Sequence, residues 1–132
     1  MTGELERLAR RYQRHEPGLL GAAQSYAVLC PLIEETDGLR LLFEVRAPQL
    51  RQGGEVCFPG GKMEPGESPA ECALRETEEE LSIPRREVTL LGEPDFICNQ
   101  RGFLLRPVLG LVSRLGLDAL RPSPAEVAEA FT

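Results

Sequence analysis

The sequence predicts an α/β fold in which one central helix packs on a sheet. Three observations carry that expectation. Residues 69–83 form a helical stretch with clear boundary signals, and strand-like apolar runs flank it on both sides. The 132 residues, 42% hydrophobic and 27% charged, are enough to bury a core without disulfides. The whole chain, residues 1–132, is expected to be a single domain.

Taken in order, residues 3–15 are predicted helical because Leu5, Leu8, Ala9 and Tyr12 follow helical spacing among Arg and Glu. The Pro17-Gly18 pair should end that helix. Ser25 to Ile33 is a buried strand, with Pro31 expected to confine its end to an edge or bulge. Asp37-Gly38 signals a hairpin, with Leu39 to Val45 as the returning strand. A polar, Gly-rich connection from Ala47 to Gly54 leads into a short strand at Glu55–Phe58. Ser68-Pro69-Ala70-Glu71 fits a capping box with proline at the first helical position, and Pro84 stops the helix beyond Ile83. Extended runs follow at residues 87–92 and 95–98, then a turn at Asn99-Gln100-Arg101-Gly102 and an apolar strand from Phe103 to Val112. Ser123-Pro124-Ala125-Glu126 has the form of another helix start, but Val127 to Phe131 is too short to show a helical period.

Composition excludes several classes of function. A net charge of -6 argues against nucleic-acid binding through phosphate neutralisation. The four cysteines, Cys30, Cys57, Cys72 and Cys98, form no metal-binding spacing and fit small core residues in a reducing compartment. The single histidine, His15, leaves little basis for a Ser-His-Asp or Cys-His system or a His-based zinc site. No apolar run is long enough to span a membrane, and no signal-peptide or sorting pattern is present, so no membrane association and a cytoplasmic location are expected. Acid–base or metal chemistry would therefore rest on carboxylates.

The stretch from Phe58 to Ile83 concentrates them. At about 100° per residue, with Glu76 at zero, Glu80 falls near 40° and Glu79 near 300°, so the three share one helix face. Ala70, Ala73, Leu74, Thr77 and Leu81 lie between roughly 60° and 160°, the core side, while Glu71 and Glu78 are solvated on the far side with Arg75 nearby. Carboxylates at these spacings repel one another. A bound Mg²⁺ or Mn²⁺ would reverse the sign of that interaction; a solvated acidic face would also produce the pattern. Gly60 and Gly61 permit positive φ and close approach of a ligand to the backbone. Glu67, just before the N-cap, could fold back over the same face.

Here the chain resembles the Nudix hydrolases, whose box reads Gly-x5-Glu-x7-Arg-Glu-U-x-Glu-Glu-x-Gly-U, U being a bulky aliphatic residue; residues 61–83 supply Gly61, Glu67, Arg75-Glu76, Glu79-Glu80 and Ile83 in register. Thr77 stands where an aliphatic residue is usual, and Ser82 replaces the last glycine, where a positive φ is expected. Upstream, residues 42–61 are similar to the signature of the subgroup acting on coenzyme A, Leu-Leu-Thr-x-Arg-(Ser/Ala)-x3-Arg-x3-Gly-x3-Phe-Pro-Gly-Gly, through Leu42, Arg46-Ala47, Arg51, Gly54 and Phe58-Pro59-Gly60-Gly61. Phe43 replaces Leu, Glu44 replaces Thr, and two residues separate Arg51 from Gly54 instead of three.

The resemblance implies a Nudix-type α/β/α sandwich with a mixed β-sheet, in which a helix normally follows a strand like Val127–Phe131. This chain stops there, implying a minimal protein, a truncated chain, or a face covered by the N-terminal helix and a partner subunit; a homodimer fits the last case. The resemblance further implies Mg²⁺- or Mn²⁺-dependent hydrolysis of a small nucleotide substrate. Glu79 and Glu80 would be the main ligands, Glu76 a further ligand or the base, and Glu67 would complete or orient the site. Arg75 would orient the carboxylates, while Arg46, Arg51, Gly60 and Gly61 would meet the substrate. Coenzyme A is the favoured substrate. ADP-ribose, an oxidised nucleotide or a dinucleoside polyphosphate are the alternatives, and a non-catalytic nucleotide-binding module is the alternative of another class. Any base from outside the box is left open among Glu55, Glu93 and Asp95.

Overall fold

The computed structural model describes residues 2–17 and 24–132. The first helix, α1 (Gly3–Tyr12), is shorter than expected; Thr2 caps it, and none of its residues is buried. Gly18, expected to help end it, lies outside the described residues.

The structure is an α/β fold with mixed strand pairing. A strand of twelve residues, β1 (Gln24–Glu35), forms its axis. Residues Ala27, Leu29, Pro31 and Ile33 alternate into the core, the period-two pattern of a strand buried on one face. A hairpin turns it into β2 (Gly38–Leu41), with Glu35 opposite Gly38 as the Asp37-Gly38 signal predicts. The returning strand does not continue to Val45. The chain bends at fully buried Leu42 and enters β3 (Phe43–Arg46), which pairs in a second sheet with β4 (Val56–Cys57) and with β9 (Val127–Phe131).

Gly60 and Gly61 lie in a short strand, β5 (Gly60–Lys62), antiparallel to β1. The helix α2 (Pro69–Leu81) follows, with the expected capping box: Ser68 Oγ accepts from the Glu71 amide and the Glu71 carboxylate from the Ser68 amide. After a 3₁₀ turn at Arg85–Glu87 come β6 (Val88–Gly92), β7 (Ile97–Cys98) and β8 (Phe103–Val112). The order β2-β1-β8-β6 puts β1 and β8 side by side and parallel, with β5 on β1 and β7 on β8. A short helix, α3 (Arg114–Asp118), which no sequence signal had indicated, is capped by Ser113.

Two expectations are corrected. Pro31 confines nothing: β1 runs through it at the centre of the sheet. Its ring nitrogen faces the gap between β5 and β2, where Leu29 N donates to Pro59 O and Leu42 N to Pro31 O, so no bond to β8 is lost. Ser123–Glu126 starts no helix; it is a turn into β9. The chain there is held to α2, since Arg121 N and Ser123 N donate to the Leu81 and Glu80 carbonyls, which would otherwise be orphaned at the helix end.

The core lies between α2 and the first sheet, with Leu81, Ile83, Leu29 and Val108 almost wholly buried. Burial of each such side chain contributes about 1.5–3 kcal/mol. Thr77, in place of an aliphatic residue, is buried too, its hydroxyl satisfied by the Ala73 carbonyl at 2.7 Å. Ser82 takes the left-handed conformation (φ 61°) at the helix end. Of the cysteines, Cys72 alone is buried; Cys30 and Cys57 are half-buried and Cys98 is exposed, all as free thiols. No described helix is long and apolar enough to cross a membrane.

Candidate active site

The face of α2 that carries carboxylates runs into its buried face. Glu80, near 40° on the helical wheel, sits beside Ala73 at about 60°, and it is 6% exposed. Glu76 is half-buried, and Glu79 is exposed. Oxygens of Glu76, Glu80 and Glu126 lie within 4.8 Å of one another. Glu126, just before β9, was not among the residues singled out in the sequence. Its approach depends on the bonds that bring residues 121–123 to the end of α2.

The glycines serve differently than expected. Neither Gly60 nor Gly61 has positive φ. Glycine is needed for room: a Cβ on Gly61 would sit 2.5 Å from Glu76 Oε1, and one on Gly60 would sit 2.7 Å from Val28 Cα. The absence of side chains lets β5 lie against both β1 and the helix carboxylates. The Gly60 amide donates to Glu80 Oε2 at 3.2 Å.

Arg75 is the hub of the remaining acids. Its side chain turns toward the loop before α2, not to the solvated side near Glu71 and Glu78. Nε and Nη2 donate to the two Glu67 oxygens at 2.7 and 3.1 Å, and Nη1 to Glu76 Oε1 at 2.9 Å. Nη1 also reaches Glu79, at 3.4 Å. Of the four expected ligands, Glu67 and Glu79 stand apart from the close carboxylate group. Both oxygens of Glu67 are taken by the guanidinium fork, which makes it Arg75's anchor instead of a member of the carboxylate group. Glu79, rotated away from Glu80, lies exposed against Arg75 and outside the Glu76–Glu80–Glu126 group.

The electrostatics divide the same way. The hydrogen bond from Arg75, then that from the Glu64 amide, holds the Glu67 carboxyl down to about 2. Burial raises Glu76 despite Arg75. Burial first, then the hydrogen bond and charge of Glu44, push Glu80 far above the ordinary carboxylate range. Glu44, on β3, is 3% exposed and raised by burial as well. Burial and the neighbouring Glu44 raise the Cys57 thiol to about 12, so it is no nucleophile at neutral pH.

Beside the carboxylates opens a cleft of about 810 Å³ whose lining includes Arg46, Arg51, Phe58, Gly60 and Gly61. All four residues assigned to substrate therefore border one space, and Arg46 Nε donates to the Arg51 carbonyl at 3.1 Å. Arg101, from the turn before β8, lines the same cleft and was not singled out in the sequence; Glu55 lines it too, whereas Glu93 and Asp95 do not.

The donor set suits a hard dication. Glu76, Glu80 and Glu126 offer only carboxylate oxygens, and opposite ligands of an octahedral shell at ~2.1 Å stand about 4.2 Å apart, a span compatible with oxygens that all lie within 4.8 Å of one another. Three carboxylates thus gather beside an arginine-lined cleft, a donor set that fits a hard cation next to a space that fits an anion.

Residues 23–130 match the NUDIX domain, and the chain belongs to the Nudix family. It is 38% identical over 114 residues to Nudix hydrolase 3 of Caenorhabditis elegans (84% of this chain, 48% of that protein). It is 39% identical over 110 residues to the mitochondrial coenzyme A diphosphatase NUDT8 of Mus musculus (80% and 51%) and 34% over 112 to the peroxisomal coenzyme A diphosphatase NUDT7 of the same species (83% and 47%). The chain spans about half the length of the curated relatives it matches. Among solved structures it is similar to a Nudix hydrolase of M. smegmatis, RenU (TM-score 0.69, 23% identity, 81% and 68% covered), and to an Ap4A hydrolase of C. elegans (0.67, 18%, 80% and 76%). These two likenesses establish the fold.

Proposed function

We propose that the chain hydrolyses the pyrophosphate bond of a nucleoside diphosphate-linked substrate with a bound Mg²⁺ or Mn²⁺, and that coenzyme A or an acyl-coenzyme A is that substrate. The observation that carries the reading is the Glu76–Glu80–Glu126 group next to a cleft holding Arg46 and Arg51. The two mouse relatives named as coenzyme A diphosphatases, and the signature over residues 42–61, support the choice of substrate.

Glu76, Glu80 and Glu126 would hold the cation, which when bound supplies charge for the pyrophosphate oxygens and acidifies a water. Arg75 keeps the Glu76 carboxylate at its post while Glu67 fixes the guanidinium from the other side. Arg46 and Arg51 pair with phosphate oxygens. Gly60 and Gly61, lacking side chains, leave the backbone open to the substrate. Cleavage of coenzyme A would give 3′,5′-ADP and 4′-phosphopantetheine.

The test is a hydrolysis assay with Mg²⁺ or Mn²⁺ on coenzyme A and ADP-ribose. Glu80→Gln should lose at least ~10²-fold in kcat, the scale on which a lost electrostatic contact acts, and Glu79→Gln less. Unchanged turnover in folded Glu80→Gln refutes the metal site. Preference for ADP-ribose, or preference for coenzyme A unaltered by Arg46→Ala and Arg51→Ala, refutes the substrate assignment.

A further inference from the structure

Glu44 is a carboxylate that the proposed chemistry leaves without a role. It stands on β3 at the position where the upstream signature has Thr, and only 3% of it is exposed. Its Oε1 accepts a weak hydrogen bond from the Cys57 thiol, 3.7 Å away, while Oε2 is buried with no partner among the described residues. Its carboxyl group meets that of Glu80 within hydrogen-bonding reach. Glu80 in turn stands on the Gly60 amide and within 4.8 Å of Glu76 and Glu126. Glu44 is thus the back wall of the carboxylate group: a fourth acid, more than nine-tenths buried, facing it from a different element of the fold.

A buried acid beside another buried acid costs folding free energy, since neither is solvated and the two cannot both carry their charge there. A hydrophobic residue or the Thr of the signature would avoid that cost. Positive charge beside Glu80 reverses the balance, because anions in a poorly solvated pocket act on a cation with little screening. Resting on the metal-site reading above, we propose that Glu44 is a positioning residue of the metal centre: it holds the Glu80 carboxylate from behind and, through its own negative charge, strengthens cation binding. The pocket trades stability of the metal-free protein for affinity, and the number of negative groups around a hard cation is what tunes such affinity.

The experiment is a titration of the metal-free full chain with Mn²⁺, followed by the electron paramagnetic resonance of the free ion, alongside melting curves with and without Mn²⁺. Glu44→Gln keeps the shape and lets an amide donate to Glu80 while removing the charge. It should weaken Mn²⁺ binding about tenfold, and the metal-free melting temperature should stay the same or rise. Glu44→Thr, the residue of the signature, is the second variant and should weaken binding likewise. A change in Mn²⁺ affinity below about threefold overturns the proposal, as does weaker binding accompanied by a lower metal-free melting temperature, the mark of a merely structural residue. Glu80→Gln separates the two layers of the argument. If it abolishes Mn²⁺ binding while Glu44→Gln does not weaken it, only the role of Glu44 falls; if it too leaves binding intact, the metal site itself is wrong.

Discussion

Adding one methyl group to Gly61 and adding one to Gly60 should have opposite consequences. In Gly61→Ala the new Cβ meets Glu76 Oε1 at 2.5 Å, against an ordinary contact of 3.4 Å, so that carboxylate must retreat by 3.4 − 2.5 = 0.9 Å. It can, because it is the end of a flexible side chain. The retreat weakens its bond with Arg75, worth about 1 kcal/mol, while loss of a glycine from the unfolded chain returns about 0.4–1 kcal/mol, leaving stability within about 1 kcal/mol of the parent. A displacement near 1 Å in a reacting constellation costs on the order of 10²-fold in rate. In Gly60→Ala the obstacles are the Val28 Cα at 2.7 Å and the Ala27 carbonyl, closer still, both backbone of the central strand. They cannot yield, and overpacking of this kind costs about 1–3 kcal/mol, here at the upper end. At roughly 3–5 °C per kcal/mol for a chain of this size, the melting temperature should fall by about 10 °C. Thermal melts and steady-state hydrolysis of the two variants decide the matter. A Gly61→Ala protein with parental kcat, or one as unstable as Gly60→Ala, would refute the view that Gly61 is glycine for the sake of Glu76.

Ser82→Ala should destabilise by about 1 kcal/mol, because it discards the hydroxyl bond to the Arg121 carbonyl and keeps the strained φ. Ser82→Gly discards the same bond but relieves the strain, so denaturant melts should place it within about 0.5 kcal/mol of the parent. The Glu67 carboxyl, lowered to about 2 by Arg75, contributes stability that is fully present above its unfolded value near ~4.3 and is lost as pH falls through that value toward 2. Glu67→Gln should therefore flatten the acid limb of a melting-temperature profile between those values and leave the limb above pH 5 parallel to the parent's; an unchanged acid limb counts against the Arg75–Glu67 fork.

Local signals were legible wherever the physics was local. The capping box of α2, the positive φ at Ser82, the hairpin at Asp37-Gly38 and β8 in full follow from residues within a turn or two of one another. What escaped depends on distant partners. Pro31 looked like a strand breaker because the gap beside it is made by where β5 ends and β2 begins, which no window around residue 31 contains. Gly60 and Gly61 had the composition of a turn, but the reason for glycine lies in a helix fifteen residues downstream of Gly61 and a strand more than thirty upstream. Glu126 was unreadable for the same cause: it reaches the site through hydrogen bonds from residues 121 and 123 to the end of α2.

Glu44 and Glu80 were closer to being legible. On the helical wheel Glu80 lies about 20° from Ala73, so its burial follows once the core face is drawn slightly wider. Glu44 lies two residues beyond fully buried Leu42 and is the buried residue of β3, between half-buried neighbours whose side chains alternate to the other side. Each position, taken alone, reads as a charge forced inward, an arrangement that costs stability unless something compensates it. The missing piece was that the chain leaves the first sheet at Leu42, which brings this face of β3 to the same point as Glu80. Two costly inward carboxylates from separate elements meeting at one point is a stronger pointer to a cation than either the acidic run on α2 or the box pattern, because a solvated acidic face would bury neither.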